Sequence, residues 1–143
     1  FRLPTDHTNK EQQVAADKLI SSGGPWESVI GYSRATVAGE YVHVSGSTAT
    51  VDGELQHKGD AYGQTLVALK EVIAKALAQV GYGLEDVVRS RVYLANSADM
   101  DAVGKAHGEI FGEIRPAATM LAGIQFINKD MLVEIEVDAW KRA

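Results

Sequence analysis

The carboxylates near the C-terminus are the first residues whose spacing suggests chemistry. Glu134, Glu136 and Asp138 alternate with Val133, Ile135, Val137 and Ala139. Alternation with a period of two marks a half-buried strand, so the acids share one face and the apolar residues the other. Two glutamates two positions apart on a strand stand ~6.5–7 Å from one another. That separation suits a carboxylate pair, or one general acid/base beside a helper. The same pattern also fits a solvated face whose acids meet Arg89 and Arg91 across the sheet.

Three other places carry usable groups. Arg115 precedes Pro116 where a helix gives way to a strand. A guanidinium there can clamp a carboxylate or phosphate through its planar fork, or it can cap the last helical carbonyls. His107 interrupts an apolar helix stripe, either as a proton shuttle near neutrality or as a hydrogen-bonded buried histidine. Ser45-Gly46-Ser47-Thr48 offers hydroxyls after a strand, as the polar lining of a small-ligand pocket or as a plain tight turn. It is not a nucleophile elbow, which needs serine between the glycines of G-x-S-x-G, and no phosphate loop occurs. His7, His43 and His57 show no ligand spacing, and cysteine is absent, so the sequence predicts no metal site.

These residues need elements to hold them. Ala35–Ala38 and Tyr41–Ser45 read as two strands around the Gly39-Glu40 turn, followed by a loop from Thr50 to Gly59. Leu66, Leu69, Ile73, Leu77 and Val80 fall on one helical stripe, with Asp60 as N-cap and Gly81 and Gly83 as the stop. Val87–Leu94 reads as a strand. Ser97 is placed to cap a second helix carrying Val103, His107, Ile110 and Phe111, which ends at Arg115-Pro116. Thr119–Gly123 and Met131–Trp140 read as the last two strands. The order strand, strand, helix, strand, helix, strand, strand predicts an α+β domain: a mixed sheet with a hairpin at each end and both helices on one face. The other face carries Tyr93 and Trp140 among charges, which predicts an oligomer. Residues 1–20 read as an N-terminal arm with a helix-prone piece from Asn9 to Leu19, and 21–143 as the single domain.

Composition narrows the partners. The 143 residues carry a net charge of −5, with no basic stripe. Phosphate binding needs clustered Lys and Arg, so nucleic acid is not the expected partner, and neither is an anionic membrane. No apolar run reaches the length of a membrane span, and no signal peptide is visible. The lack of cysteine fits a reducing cytosol.

Several of these pieces occur together in one known family. Ile30-Gly31-Tyr32, Val44-Ser45-Gly46, Asp86-Val87-Val88, Arg115-Pro116-Ala117 and Val133-Glu134-Ile135-Glu136 stand in the same order there. From about Ser21 to Ala139 the chain resembles the Rid/YjgF family of reactive-intermediate deaminases. The resemblance implies a fold similar to trimeric bacterial chorismate mutase, and a homotrimer with clefts between subunits. It also implies cofactor-free hydrolysis of imines and enamines to carbonyl compounds and ammonia. Glu134 matches the family's acid, Tyr32 its tyrosine and Ser45 its serine. Arg115, His107 and Thr119 join them as candidate substrate-binding residues. The family's carboxylate-holding arginine lies two residues beyond the proline, where this chain has Ala118. The chain therefore resembles a subgroup without that clamp. A non-catalytic trimer that binds a small metabolite is the alternative reading, with endoribonuclease activity a third.

Overall fold

The structure is a computed structural model and describes residues 16–142. Six strands form one mixed sheet in the order β1-β2-β3-β8-β6-β7, and two more form a small hairpin. β1 is Lys18–Ile20, β2 Ala35–Ala38, β3 Tyr41–Ser47, β6 Val87–Leu94, β7 Ala117–Leu121 and β8 Val133–Trp140. The hairpin pairs β4, Thr50–Val51, with β5, Glu54–Leu55. Its turn residues Asp52 and Gly53 both have positive φ, at 51° and 81°. This is the mirror-image turn that Asp-Gly favours because it matches strand twist. The segment expected as a loop thus contains an ordered hairpin.

β8 occupies the centre of the sheet, antiparallel to β3 on one side and β6 on the other. Val133, Ile135, Val137 and Ala139 are each at most 1% exposed. Burying each Val or Ile stabilises the fold by roughly 1.5–3 kcal/mol, which is why the most regularly alternating segment takes the middle. β6 and β7 run parallel, so they need a crossover, and the second helix supplies it. The expected C-terminal hairpin is therefore absent: β7 and β8 both pair with β6, which lies between them. Strand partners depend on contacts far apart in the chain, which local pattern does not encode.

The first helix, α1, covers residues 61–78. It is α-helical at Ala61–Val67, π-helical at Ala68–Ile73 and α-helical again at Ala74–Ala78. Leu69, Ile73 and Leu77 are fully buried against the sheet. Asp60 caps it, its carboxylate accepting the Gly63 N–H at 2.9 Å. Gly81, at φ 78°, turns the chain out of its C-terminal end. The second helix, α2, is Met100–Phe111 and buries Val103, Ala106 and Phe111. Ser97 does not cap it. Ser97–Asp99 form a single 3₁₀ turn first, and no side chain caps either start.

Both helices pack on the face bearing Val133, Ile135 and Val137, as the pattern predicts. Gln64, fully buried on α1, donates to the Asp130 and His57 carbonyls and accepts the Leu132 N–H at 2.9 Å. It ties the segment before β8 to the helix layer. Lys18–Ile20, the junction of the expected helix-prone piece and the domain, is an edge strand antiparallel to β2, with Ile20 buried. Residues 9–15 of that piece, and residues 1–15 of the expected arm, lie outside the described residues.

Candidate functional site

Two local irregularities build the site. The first is a short π-helical turn, Glu27–Gly31, ahead of β2. Glu27 is almost fully buried, and its carboxylate accepts the Ser22 hydroxyl at 2.7 Å and the Ser22 and Gly24 backbone N–H groups. Burial alone raises a carboxyl's pKa, but here the donors from Ser22, Ser21 and Gly24 outweigh it and hold Glu27 low. Gly31 leaves the turn at φ 89°, and Tyr32 donates its N–H to the Glu27 carbonyl at 2.9 Å. This fixes where the Tyr32 ring starts.

The second irregularity is a β-bulge in β3. Val44 pairs with Val137, but Ser47 pairs with Ile135, so Ser45 and Gly46 together oppose a single residue, Glu136. A bulge re-aims the side chains on either side of it. The Ser45 hydroxyl donates to the Ser33 carbonyl at 2.6 Å, and its N–H donates to the Arg34 carbonyl at 3.0 Å. The 32–34 segment and the bulge are thereby stitched together.

A cavity of about 620 Å³ opens beside them. Tyr32, Ser33, Ser45, Glu27, Glu136 and Asp138 are among the residues that line it. Glu134 is not among its lining residues; it lies against the bulge that Ser45 shares with Gly46. A Cβ added to Gly46 would stand 2.9 Å from the Glu134 carboxyl carbon and one of its oxygens, so the acid lies directly against the bulge. Burial raises the Glu134 pKa; Arg34 acts against this and Glu136 with it, and the net shift is upward. A carboxyl moved towards neutrality is better matched to proton transfer.

The sheet face around the cavity is a charge lattice. Asp138 lies 3.3 Å from Arg91 and 2.7 Å from His43, whose ring stacks on Tyr41. Glu136 accepts the Tyr93 hydroxyl and stands 4.0 Å from Arg91. Glu136 and Asp138 thus meet Arg91 across the sheet, as the alternative reading of the acidic face expects, while no such contact of Arg89 occurs among the described residues.

The remaining candidates lie elsewhere in the chain. His107 is on the helix side of the sheet, 2.8 Å from the Ser90 hydroxyl and packed on Phe111, with its pKa lowered by burial. Arg115 and Thr119 are both exposed, at the β7 edge. β7 lies three strand spacings from β3, about 14 Å. Arg115 caps the helix through its backbone, its N–H donating to the Phe111 carbonyl at 2.8 Å, and it has an unusual φ of 56°. Ala118 sits on β7 opposite Ser90. One chain therefore brings together Tyr32, Ser45 and Glu134, and leaves His107, Arg115 and Thr119 apart from them.

Arg34 is a site residue that the motifs do not mark. Its guanidinium donates to the Gly46 carbonyl at 2.6 Å, on the bulge that Glu134 lies against. In the sequence it is a lone arginine before a short strand, and no spacing rule singles it out. Among the described residues no three His, Cys, Asp or Glu side chains group as metal ligands would, and no helix is long and apolar enough to cross a membrane.

Comparison with known proteins bears on the family and the fold. A family model described as Endoribonuclease L-PSP matches residues 25–141. An uncharacterized protein of Streptomyces coelicolor is 44% identical over 90% of this chain and 95% of its own. The 3-aminoacrylate deaminase RutC of Acinetobacter baylyi is 34% identical over 73% of this chain and 82% of its own. Among solved structures, a YjgF/YER057c/UK114 family member from Mycobacterium tuberculosis superposes with a TM-score of 0.77 at 40% identity. It covers 87% of this chain and 98% of its own. With most of its length matched by the family model and by these relatives, the chain belongs to the Endoribonuclease L-PSP family, also called YjgF or Rid.

Proposed function

We propose that the chain is a cytoplasmic, homotrimeric hydrolase of small imines or enamines, with Glu134 as its acid–base group. The observation that carries this reading is the half-buried Glu134 carboxyl, set against the Ser45–Gly46 bulge beside a cavity that Tyr32 enters. Its raised pKa gives it the proton affinity the reaction needs. In the forward step Glu134 takes a proton from water as the oxygen bonds to the imine carbon. That proton passes to the nitrogen to give the carbinolamine. Glu134 then takes the carbinolamine hydroxyl proton and delivers it to the nitrogen as the C–N bond breaks, so carbonyl compound and ammonia leave and the carboxylate is restored. The Ser45 hydroxyl proton is committed to the Ser33 carbonyl, so toward the cavity it offers lone pairs. Those suit an imine or iminium N–H. The deaminase activity named for the Acinetobacter relative supports the reaction class.

Exposed apolar side chains support the trimer. Trp26 is 62% exposed, Val29 74% and Ile30 69%, all around the turn that presents Tyr32. A cluster of that size beside a cavity suits a subunit contact. The lack of cysteine suits a reducing compartment. With Ala118 at the clamp position, binding without turnover is the second reading. Endoribonuclease action, named for a Thermotoga maritima neighbour, fits poorly with a cavity lined by Glu27, Glu136 and Asp138.

The test is ammonia release from enzymatically generated imines, some bearing a carboxylate and some not. Wild type should release ammonia and carbonyl product in equal amounts, and Glu134→Gln should not. Ligand-dependent melting shifts with no turnover of any member would replace catalysis with binding.

A further inference from the structure

Arg34 is a desolvated cation to which the acid–base reading assigns no task. One of its terminal nitrogens holds the Gly46 carbonyl at 2.6 Å, while its Nε–H is buried with no hydrogen-bond partner among the described residues. An unpaired buried donor is costly, and bracing a carbonyl requires no charge, since a neutral amide donates as well. A guanidinium kept here at that cost points to a use for the charge itself. Burial lowers its pKa, and Tyr32, Glu27 and Glu134 act in the opposite direction. An arginine remains a cation under such opposing influences.

The geometry gives that charge a target. Gly46 separates the two groups, with Arg34 on its carbonyl oxygen and the Glu134 carboxylate against its Cα. Glu134 faces Glu136 along its own strand and Tyr93 directly across on β6. The Tyr93 hydroxyl is given to Glu136, and Arg91 is engaged with Asp138 and Glu136. Among the described residues, Arg34 is left as the cation that acts on Glu134.

We propose that Arg34 is a positioning residue for the reaction, fixing the Ser45–Gly46 bulge through the Gly46 carbonyl and supplying the positive charge that Glu134 faces across it. The proposal rests on Glu134 being the acid–base group, but its test needs no substrate. The Glu134 carboxyl carbon, labelled with ¹³C, is titrated by NMR in wild type, Arg34→Gln and Arg34→Lys. Gln keeps a donor for Gly46 and removes the charge, so the Glu134 midpoint moves to higher pH. Lys keeps the charge and leaves the midpoint near that of wild type. In unmodified protein the Arg34 ¹⁵Nε–H resonance should titrate with the Glu134 midpoint and lie flat in Glu134→Gln. An unchanged midpoint in Arg34→Gln, or an equal shift in Arg34→Lys, overturns the proposal. If the Arg34 variants do not fold, a wild-type Nε–H resonance that ignores the Glu134 titration overturns it alone. If imine hydrolysis fails while these titrations hold, the function is wrong and the pairing stands. The acid limb of the rate profile should follow the same order among the three proteins.

Discussion

Gly46→Ala should silence the site while leaving the fold nearly intact. Gly46 is not at positive φ, so alanine adopts its backbone without strain. The new methyl would stand 2.9 Å from the Glu134 carboxyl carbon and one oxygen. Comfortable separation is ~3.5–4.0 Å, so the carboxylate must retreat by ~0.6–1 Å. The obstacle is the end of a flexible side chain, so the stability cost should sit at the low end of the overpacking range, about 1 kcal/mol. Misplacing a reacting group by ~1 Å can cost ~10²-fold in rate, which is the expected fall in kcat/KM. The assay is ammonia release at saturating and limiting imine, with thermal melting of the same preparation and a crystal structure of the variant. A variant with Glu134 displaced and wild-type kcat/KM would refute the reasoning, because the carboxylate position would then not matter. A variant that melts several kcal/mol lower would show that the bulge is structural.

Two further substitutions test the residues placed away from the cavity. Arg115 holds φ 56°, a conformation that costs an ordinary residue ~1–2 kcal/mol, so Arg115→Gly should stabilise the chain by up to ~1 kcal/mol, seen as a raised Tm. If the same variant instead loses substrate affinity, the guanidinium belongs to a cleft completed by another subunit. Burial holds the His107 pKa below its ordinary value, so the unfolded chain binds that proton more tightly than the folded one. Its contribution to stability is complete above the unfolded value of ~6.5 and drains as pH falls below it through the folded value. His107→Ala leaves the buried Ser90 hydroxyl without this partner, for ~1–3 kcal/mol at pH 7.5. The gap to wild type should narrow as pH is lowered to 5 in urea titrations.

The parts of the fold legible in sequence are those carried by local period. The alternation of β8 corresponds to a fully buried face, and of the α1 stripe Leu69, Ile73 and Leu77 are fully buried while Leu66 and Val80 at its ends are partly so. Strand order was not legible, since nothing local states that β6 separates β7 from β8. The β3 bulge was hidden for a related reason. Val42 and Val44 alternate regularly, and the extra residue at Ser45–Gly46 shows only when paired against Val137 and Ile135. Tyr32, Ser45 and Glu134 were visible through family order, and the structure sets them around one bulge. Arg34 escaped because its significance is purely spatial: twelve residues separate it from the carbonyl it holds. Arg115 and His107 attracted notice by type, and their placement follows from helix termination and from the inward face of α2.

The central claim is that Glu134, and not its neighbour in the cavity wall, moves the proton. Comparing kcat/KM of Glu134→Gln and Glu136→Gln on the best imine substrate measures this directly. General acid–base catalysis is worth ~10²–10⁴-fold, so Glu134→Gln should lose that much, while Glu136→Gln stays within ~10-fold of wild type. The reverse order would contradict the account and move the chemistry to the carboxylate held by Tyr93.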